Sequence, residues 1–238
     1  MICSKSQDST RRKVIMDRPL YQPQELQTVS LNGKRHYCTP NGEKYVSITT
    51  LLSHFTAKSI AAWRRKVGEA EANRISTESS NNGTKLHSSL ELYLDGKDHT
   101  QLIETKEEQN QFDRIKNYLD EHLTETWYQE VPLYSNRLKV AGKVDLIGTL
   151  DGVPTVIDFK TSRKKKKKEW IQNYFEQASF YAMSLYEMSG IEIKDICILI
   201  TVNKGEDFQI YNEKVGNYMG SLYDKILKYR DFQQQQAA

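Results

Sequence analysis

Cysteine is scarce in this chain of 238 residues: Cys3, Cys38 and Cys197 are odd in number and far apart. That spacing excludes a disulfide framework and a four-thiolate zinc or iron–sulfur centre, and leaves Cys197 to be read as core. Long apolar runs are missing too. No stretch approaches the ~18 to 20 residues that cross a bilayer, and residues 1–20 lack the apolar centre of a secretory signal. Asp8 and Asp17 oppose a transit peptide, so 1–20 read as a flexible arm and the chain as soluble and intracellular, in the cytoplasm rather than a mitochondrial matrix. No G-x-x-x-x-G-K-[ST] loop occurs, so no nucleoside triphosphate site or fused motor is expected. Excess charge of one sign is also lacking, at a net +3. One run, Arg163, Lys164, Lys165, Lys166, Lys167 and Lys168, exceeds that figure, so the remainder is net negative.

What is present suits a packed core: 38% hydrophobic residues, with 14 Tyr, seven Phe and three Trp. Residues 30–47 carry Asn32-Gly33 and Asn41-Gly42 between short β-favouring pieces, which predicts a small peripheral hairpin. Helical periodicity follows over 47–55, 59–75, 82–94 and about 106–123. Strand patterns occupy 127–134, 138–150 and 153–160, then a helix at about 169–188, strands at 195–202 and 207–211, and a last helix at about 216–232 before a frayed 233–238. The order predicts one α/β domain over 21–232, with a mixed sheet flanked by helices. Its helical elaboration spans about 47–125 and its α/β core about 126–212.

The sharpest local feature is VAGKVDLIGTLDGVPTVIDFK, beginning at Val140. Asp151-Gly152 is a strong two-residue hairpin signal, because both turn positions need positive φ. Leu150 then faces Val153 and, counting back in step, Asp145 faces Asp158 and Lys143 faces Lys160. Directly opposed like charges are destabilising, so something must compensate the two carboxylates. Alternation puts Asp158 and Lys160 on one face of their strand with Ile157 and Phe159 on the other, and makes Val140, Val144 and Leu146 the reverse face of the first strand. Two readings stay open: solvated ion pairs worth ~0 to 1 kcal/mol each, or a hard divalent cation held by both carboxylates with Lys160 aimed at the reacting group.

At these residues the chain resembles the PD-(D/E)XK nucleases, and within them the RecB-like exonuclease branch. Asp145 in AGKVDLI and Asp158 and Lys160 in IDFKTS are similar to that family's catalytic acid and D-x-K element. Gly83, Thr84, His87 and Glu91 in NGTKLHSSLELYLDG resemble an upstream G-T-x-x-H-x-x-x-E helix. Glu130 in QEVPLYS resembles an acidic strand element, and Gln177 and Tyr181 in YFEQASFYAMSLYE a Q-x-x-x-Y helix. The four clustered cysteines of the iron–sulfur members are absent, so the chain looks like the small stand-alone exonucleases of phages and of mitochondrial genome maintenance.

The resemblance implies a restriction-endonuclease-like core that binds Mg²⁺ or Mn²⁺ through His87, Asp145, Asp158 and the Phe159 carbonyl. Lys160 would orient or deprotonate a water or stabilise developing charge. Glu91, Glu130, Gln177 and Tyr181 would support them, Glu130 as an outer-sphere or second-metal residue. The implied function is metal-dependent hydrolysis of DNA, at single-stranded ends or flaps, in replication, recombination or repair. A structure-specific endonuclease and a non-catalytic nucleic-acid-binding module remain as alternatives. The run 163–168 reads as a strand guide, a solvated loop or a nuclear-import signal. Arg64 and Arg65 beside Trp63 are further candidate phosphate contacts, and Trp63 and Trp170 candidate stacking partners for bases.

Overall fold

Asp151 and Gly152 both take positive φ, 48° and 81°, as the tight turn requires. The flanking strands pair in the expected register, from Leu150 with Val153 back to Leu146 with Ile157. The computed structural model describes residues 21–202 and 208–237; the arm expected over 1–20 lies outside them. In chain order the elements are β1 (Thr28–Leu31), β2 (Lys34–Cys38), β3 (Lys44–Ser47), α1 (Ile48–Val67), α2 (Glu69–Leu94), α3 (Lys106–His122), β4 (Leu123–Ser135), β5 (Val140–Leu150), β6 (Val153–Ser162), α4 (Gln172–Ser189), β7 (Asp195–Val202), β8 (Phe208–Lys214) and α5 (Met219–Ala237).

The eight strands form one mixed sheet in the order β1-β2-β3-β5-β6-β7-β8, with β4 also paired to β5. β3 runs parallel to β5 and β6 parallel to β7. β4 occupies one edge of β5 along its whole length. The other edge is shared: β3 pairs only with Val140 and Ala141, and β6 only from Leu146 onward. Residues 142–145 therefore face a notch where the sheet has no neighbouring strand. The hairpin expected to be peripheral is thus an extension of the central sheet, and its last strand forms one wall of that notch.

Two cores cover the sheet. Ile48, Leu51 and Leu52 of α1, Phe175, Ala178 and Leu185 of α4 and Leu222, Ile226 and Tyr229 of α5 pack on one face against Val144, Ile147, Val156 and Ile198. Leu86 and Leu90 of α2 and Phe112, Ile115 and Leu119 of α3 pack on the other against Leu146, Ile157, Phe159 and Leu199. Val144 and Leu146 thus lie in opposite cores, although strict alternation would place them together. The face changes at Asp145. This corrects the expected reverse face: Val140 and Val144 share it, and Leu146 does not. Between the rungs that pair Gln129 with Leu146 and Val131 with Val144, the β4 residue is Glu130, at a φ of 50°. A positive φ is uncommon outside glycine, and here it marks the same break on the neighbouring strand.

The helices differ from the expected segments in their joints. Ser47 caps α1 by accepting from the Thr50 amide, and the helix then runs without interruption to Val67. The break falls at Gly68, whose φ of 87° and ψ of 147° leave the helical region. α2 passes through the polar Ser-Asn-Gly stretch around residue 80 that the sequence reading left out, because the packing of Leu86 and Leu90 outweighs the modest intrinsic penalties of those residues. Thr105 and Glu108 close a capping box on α3. α5 continues to Ala237, through most of the stretch read as frayed.

Gly142 is where the notch tolerates no side chain. A Cβ there would come within 2.8 Å of both Ile48 Cγ2 and Tyr181 Cε1. Gly142→Ala should push the Tyr181 ring away from β5 and cost about 1 to 3 kcal/mol of stability. Urea unfolding should show the loss as a lower midpoint at an unchanged slope.

Candidate active site

Asp145 stands at the inner end of the notch, where β5 and β6 part. Its Oδ2 accepts from the Phe159 backbone N–H at 2.8 Å, so a side chain takes the place of the ladder partner that the parted strand lacks. Asp158, expected opposite it, follows the last paired rung, Leu146 with Ile157, and is completely buried. Asp158 Oδ1 accepts from Gln177 Nε2 at 3.2 Å, and Gln177 also donates to the Tyr181 hydroxyl at 3.1 Å. Asp158 Oδ2 is paired with the Lys160 ammonium. The Lys160 Nζ also sits 5.2 Å from the centre of the Tyr174 ring.

These are the compensations that the opposed carboxylates require. Burial works against ionisation of both, and for Asp158 it prevails: with Asp145 nearby, its carboxyl is held above the usual range despite Lys160. For Asp145, burial is outweighed by His87, Lys160 and the Phe159 amide, and its pKa falls below the ordinary value. Burial also disfavours the Lys160 cation, but Asp158 and Asp145 more than offset it and raise the pKa.

Lys143 does not join this group. The strands have already separated at its level, and it stands opposite Pro132 on β4, with its ammonium on Glu130 Oε2 at 2.7 Å. The expected facing of Lys143 and Lys160 fails because the hairpin register ends at Leu146, not because it slips.

His87 reaches the notch from the far layer, carried by α2 between the buried Leu86 and Ser89. Its Nε2 lies 2.9 Å from the Phe159 carbonyl oxygen. Its Nδ1 lies 3.4 Å from Asp145 Oδ1 and 3.8 Å from Glu130 Oε1. Burial opposes a charged imidazole, but Asp145 and then Glu130 overcome it and push the pKa up to about 10. Ligand atoms of His87, Glu130 and Asp145 lie within 4.8 Å of one another, and the Phe159 carbonyl points at the same histidine. One imidazole nitrogen among carboxylate and carbonyl oxygens is a donor set suited to a hard divalent cation. Glu130, expected as a supporting residue, belongs to this tight group. Asp158 is held beside it by Gln177 and Lys160. Glu91 lies outside the group; its backbone carbonyl accepts from Gln129, and its charge helps raise the Lys143 pKa.

Two recesses open at consecutive residues of β6, one lined by Lys160 and the other by Thr161. A cavity of about 590 Å³ holds His87, Glu130, Asp145, Lys160, Gln177 and Tyr181. A larger groove of about 1090 Å³ runs alongside, lined by Trp63 of α1, Asn82 of α2, Tyr174 of α4 and the cations Arg163, Lys164 and Lys166. The cationic loop is pinned. The Gln209 side chain on β8 both accepts from the Lys166 N–H, at 2.8 Å, and donates to its carbonyl, at 2.9 Å, and the Tyr211 hydroxyl donates to that carbonyl at 2.6 Å. Ser162 Oγ donates to the Lys164 carbonyl at 2.6 Å. Lys167 lies over the exposed Trp170 ring and Lys168 pairs with Glu213, so the run divides into cations that line the groove and cations that do not. Arg64 braces the Gly68 joint through Glu69 and Asn73, and neither it nor Arg65 lines the groove. Gln209 and Tyr211 escaped the sequence reading; their period-two spacing on β8 was the available signal.

The layered fold, the D-x-K strand and the clustered His and carboxylates define a nuclease-type site. Residues 52–212 match the family model described as the PD-(D/E)XK nuclease superfamily. That is well over half of the chain, and the protein belongs to this superfamily. No curated protein was found to match the chain. Members of the superfamily are nucleases that generally use divalent ions such as Mg²⁺ or Mn²⁺, and the donor set around His87 fits such an ion. Among the described residues no helix is long and apolar enough to cross a membrane.

The His87 pKa has a consequence for stability. A folded-state value near 10, above the ~6.5 of an unfolded histidine, contributes stability that is complete below pH ~6.5 and is lost as pH rises towards 10. In EDTA the wild-type Tm should therefore fall between pH 7 and 10 more steeply than that of His87→Asn. Parallel thermal melts of the two proteins measure the difference.

Proposed function

We propose that this chain is a metal-dependent deoxyribonuclease of the RecB-like branch, an exonuclease acting on single-stranded DNA ends or flaps in replication, recombination or repair. The observation that carries the reading is the composition of the two recesses that open at Lys160 and Thr161, consecutive residues of β6. One gathers a hard-cation donor set around the Asp145–Phe159 bridge. The other is a groove with cations held in place and aromatic rings at Trp63 and Tyr174. Phosphate-binding cations interleaved with rings are what an extended single strand needs, since every base offers a face for stacking.

His87, Glu130, Asp145, Asp158 and the Phe159 carbonyl are the residues that would hold Mg²⁺ or Mn²⁺. A bound ion of this kind polarises the scissile phosphate and acidifies a coordinated water. The protein's own groups do the positioning. Lys160, paired with Asp158, orients or deprotonates the attacking water or stabilises negative charge as it develops on the phosphate oxygens. Gln177 fixes Asp158 by donating to Oδ1, and Tyr181 in turn accepts from Gln177. These two residues hold the acid and the lysine in place and take no part in bond breaking. Arg163, Lys164 and Lys166 neutralise phosphates in the groove, and Gln209 and Tyr211 keep their loop from collapsing.

Asp158→Ala and Lys160→Ala should each abolish cleavage of labelled single strands in Mn²⁺ while leaving the fold and DNA binding intact. Full activity in either purified variant would refute the assignment, and cleavage that survives EDTA would refute the dependence on metal. A circular single strand should resist digestion; its cleavage would mark an endonuclease on the same core.

The pinned loop makes a separate prediction. Replacing Arg163, Lys164 and Lys166 with Ser should raise the KM for DNA and reduce the slope of log affinity against log salt by roughly 2, at ~0.7 per phosphate contact on a single strand. Replacing Lys167 and Lys168 should leave that slope nearly unchanged. Equal slopes for the two variants would return the run to a solvated loop.

A further inference from the structure

The strands β1 and β2 precede the matched residues 52–212, yet they help wall the cavity that holds the candidate metal group, through Thr28, Arg35 and Tyr37. Arg35 and Tyr37 of β2 and Thr49 in the first turn of α1 line it together with His87, Asp145 and Lys160. Arg35 is oriented from two sides. Its Nη2 donates to Thr49 Oγ1 at 2.8 Å, and its guanidinium carbon lies 5.7 Å from the centre of the Tyr37 ring. A guanidinium has five N–H donors in a fixed fork. One is committed to Thr49, and among the described residues no carboxylate pairs with the rest.

The nearby acids do not explain it. Glu130, in the same cavity, is engaged by Lys143, and Glu25 is an exposed residue of the wall. A pre-oriented arginine with an open fork, exposed at the mouth of a cavity that Lys143 and Lys160 also line, suits a phosphate group. The volume of about 590 Å³ falls within the ~300 to 1,000 Å³ usual for small-ligand sites, enough for a short nucleotide fragment. Position gives the direction. Lys160 lines this cavity, whereas the next residues on β6, Thr161 and Ser162, line the cationic groove with Arg163. A strand lying in the groove would meet the reacting centre at Lys160 with its end entering the cavity.

We infer that Arg35, set by Thr49 and Tyr37, binds a phosphate of the nucleotide beyond the scissile bond, on the side away from the cationic groove. The inference rests on the nuclease reading above. That phosphate is either an internal phosphodiester or the terminal phosphate of the strand. In both cases Arg35 fixes how far the end advances, and hence the length of the product.

The test compares wild type, Arg35→Ala, Arg35→Lys and Thr49→Val. Calorimetric titration with thymidine dinucleotides that carry a 5′ phosphate, a 3′ phosphate or neither, in EDTA, reads the subsite without turnover. Arg35→Ala should weaken binding by about tenfold or more, the scale of a lost charge-assisted contact. Arg35→Lys should recover part of the loss, and Thr49→Val should fall between it and wild type. A loss confined to phosphorylated probes identifies a terminal phosphate; an equal loss for all three identifies an internal one. With a longer single strand and Mn²⁺, Arg35→Ala should raise KM more than it lowers kcat and broaden the product lengths. Wild-type affinity and unchanged product lengths in Arg35→Ala would overturn the inference, as would a wild type that binds none of the dinucleotides. A wild type that binds them but cuts no DNA in Mn²⁺ would refute the nuclease reading while the titrations still decide the role of Arg35.

Discussion

The hydrogen bond from the Phe159 amide to Asp145 Oδ2 is the constraint on which the rest of the site depends. Two antiparallel strands that part in the middle of a buried sheet leave backbone groups without partners, and an unsatisfied buried amide is expensive. Asp145 satisfies that amide with a carboxylate instead of a carbonyl. The strands can then part at this point without leaving the Phe159 amide unpaired, and the Phe159 carbonyl is presented to His87 on the opposite layer. The same bond, with His87 and Lys160, keeps Asp145 ionised despite its burial. Architecture and electrostatics thus meet in one contact.

Around it the sheet divides the work between its two faces. α4 brings Gln177 and Tyr181 to Asp158 from one side, and α2 brings His87 to Asp145 and Phe159 from the other. Neither helix could supply both, because Asp158 and Phe159 point to opposite faces of β6 while Asp145 projects into the gap between strands. The change of face on β5 at Asp145, matched by the positive φ of Glu130 on β4, lets one carboxylate be shared by both layers. At the ends of the site, the β1–β3 extension and the pinned loop after β6 supply cations at fixed positions. Cations held by rigid elements cost little ordering entropy when a polyanion binds.

Much of this was legible in the chain itself. Asp151-Gly152 announces its turn, and the turn dictates the register, so the pairing back to Leu146 with Ile157, one step short of Asp145 and Asp158, follows from counting alone. The regular alternation of β6, with Asp158 and Lys160 on one face and Ile157 and Phe159 on the other, was equally readable. The spacing of His87, Asp145, Asp158, Lys160, Gln177 and Tyr181 carried the family resemblance that the match over 52–212 bears out at the level of the superfamily. The joint at Gly68 and the continuity of α2 were not legible, because weak local preferences there yield to the packing of Leu86 and Leu90.

The sequence by itself determined the local periods, the hairpin register and the residues with chemistry to offer, because turn sterics and alternation act between near neighbours. Only the tertiary structure decided that β3 and β6 share one edge of β5 and leave a notch, that Glu130 joins His87 and Asp145 while Lys143 pairs with Glu130 instead of facing Lys160, and that Arg35 from a distant hairpin reaches the same cavity. Those choices depend on which elements pack together across long stretches of chain. They are made by burial of the two cores and by the need to satisfy each buried polar group, and no local pattern encodes them.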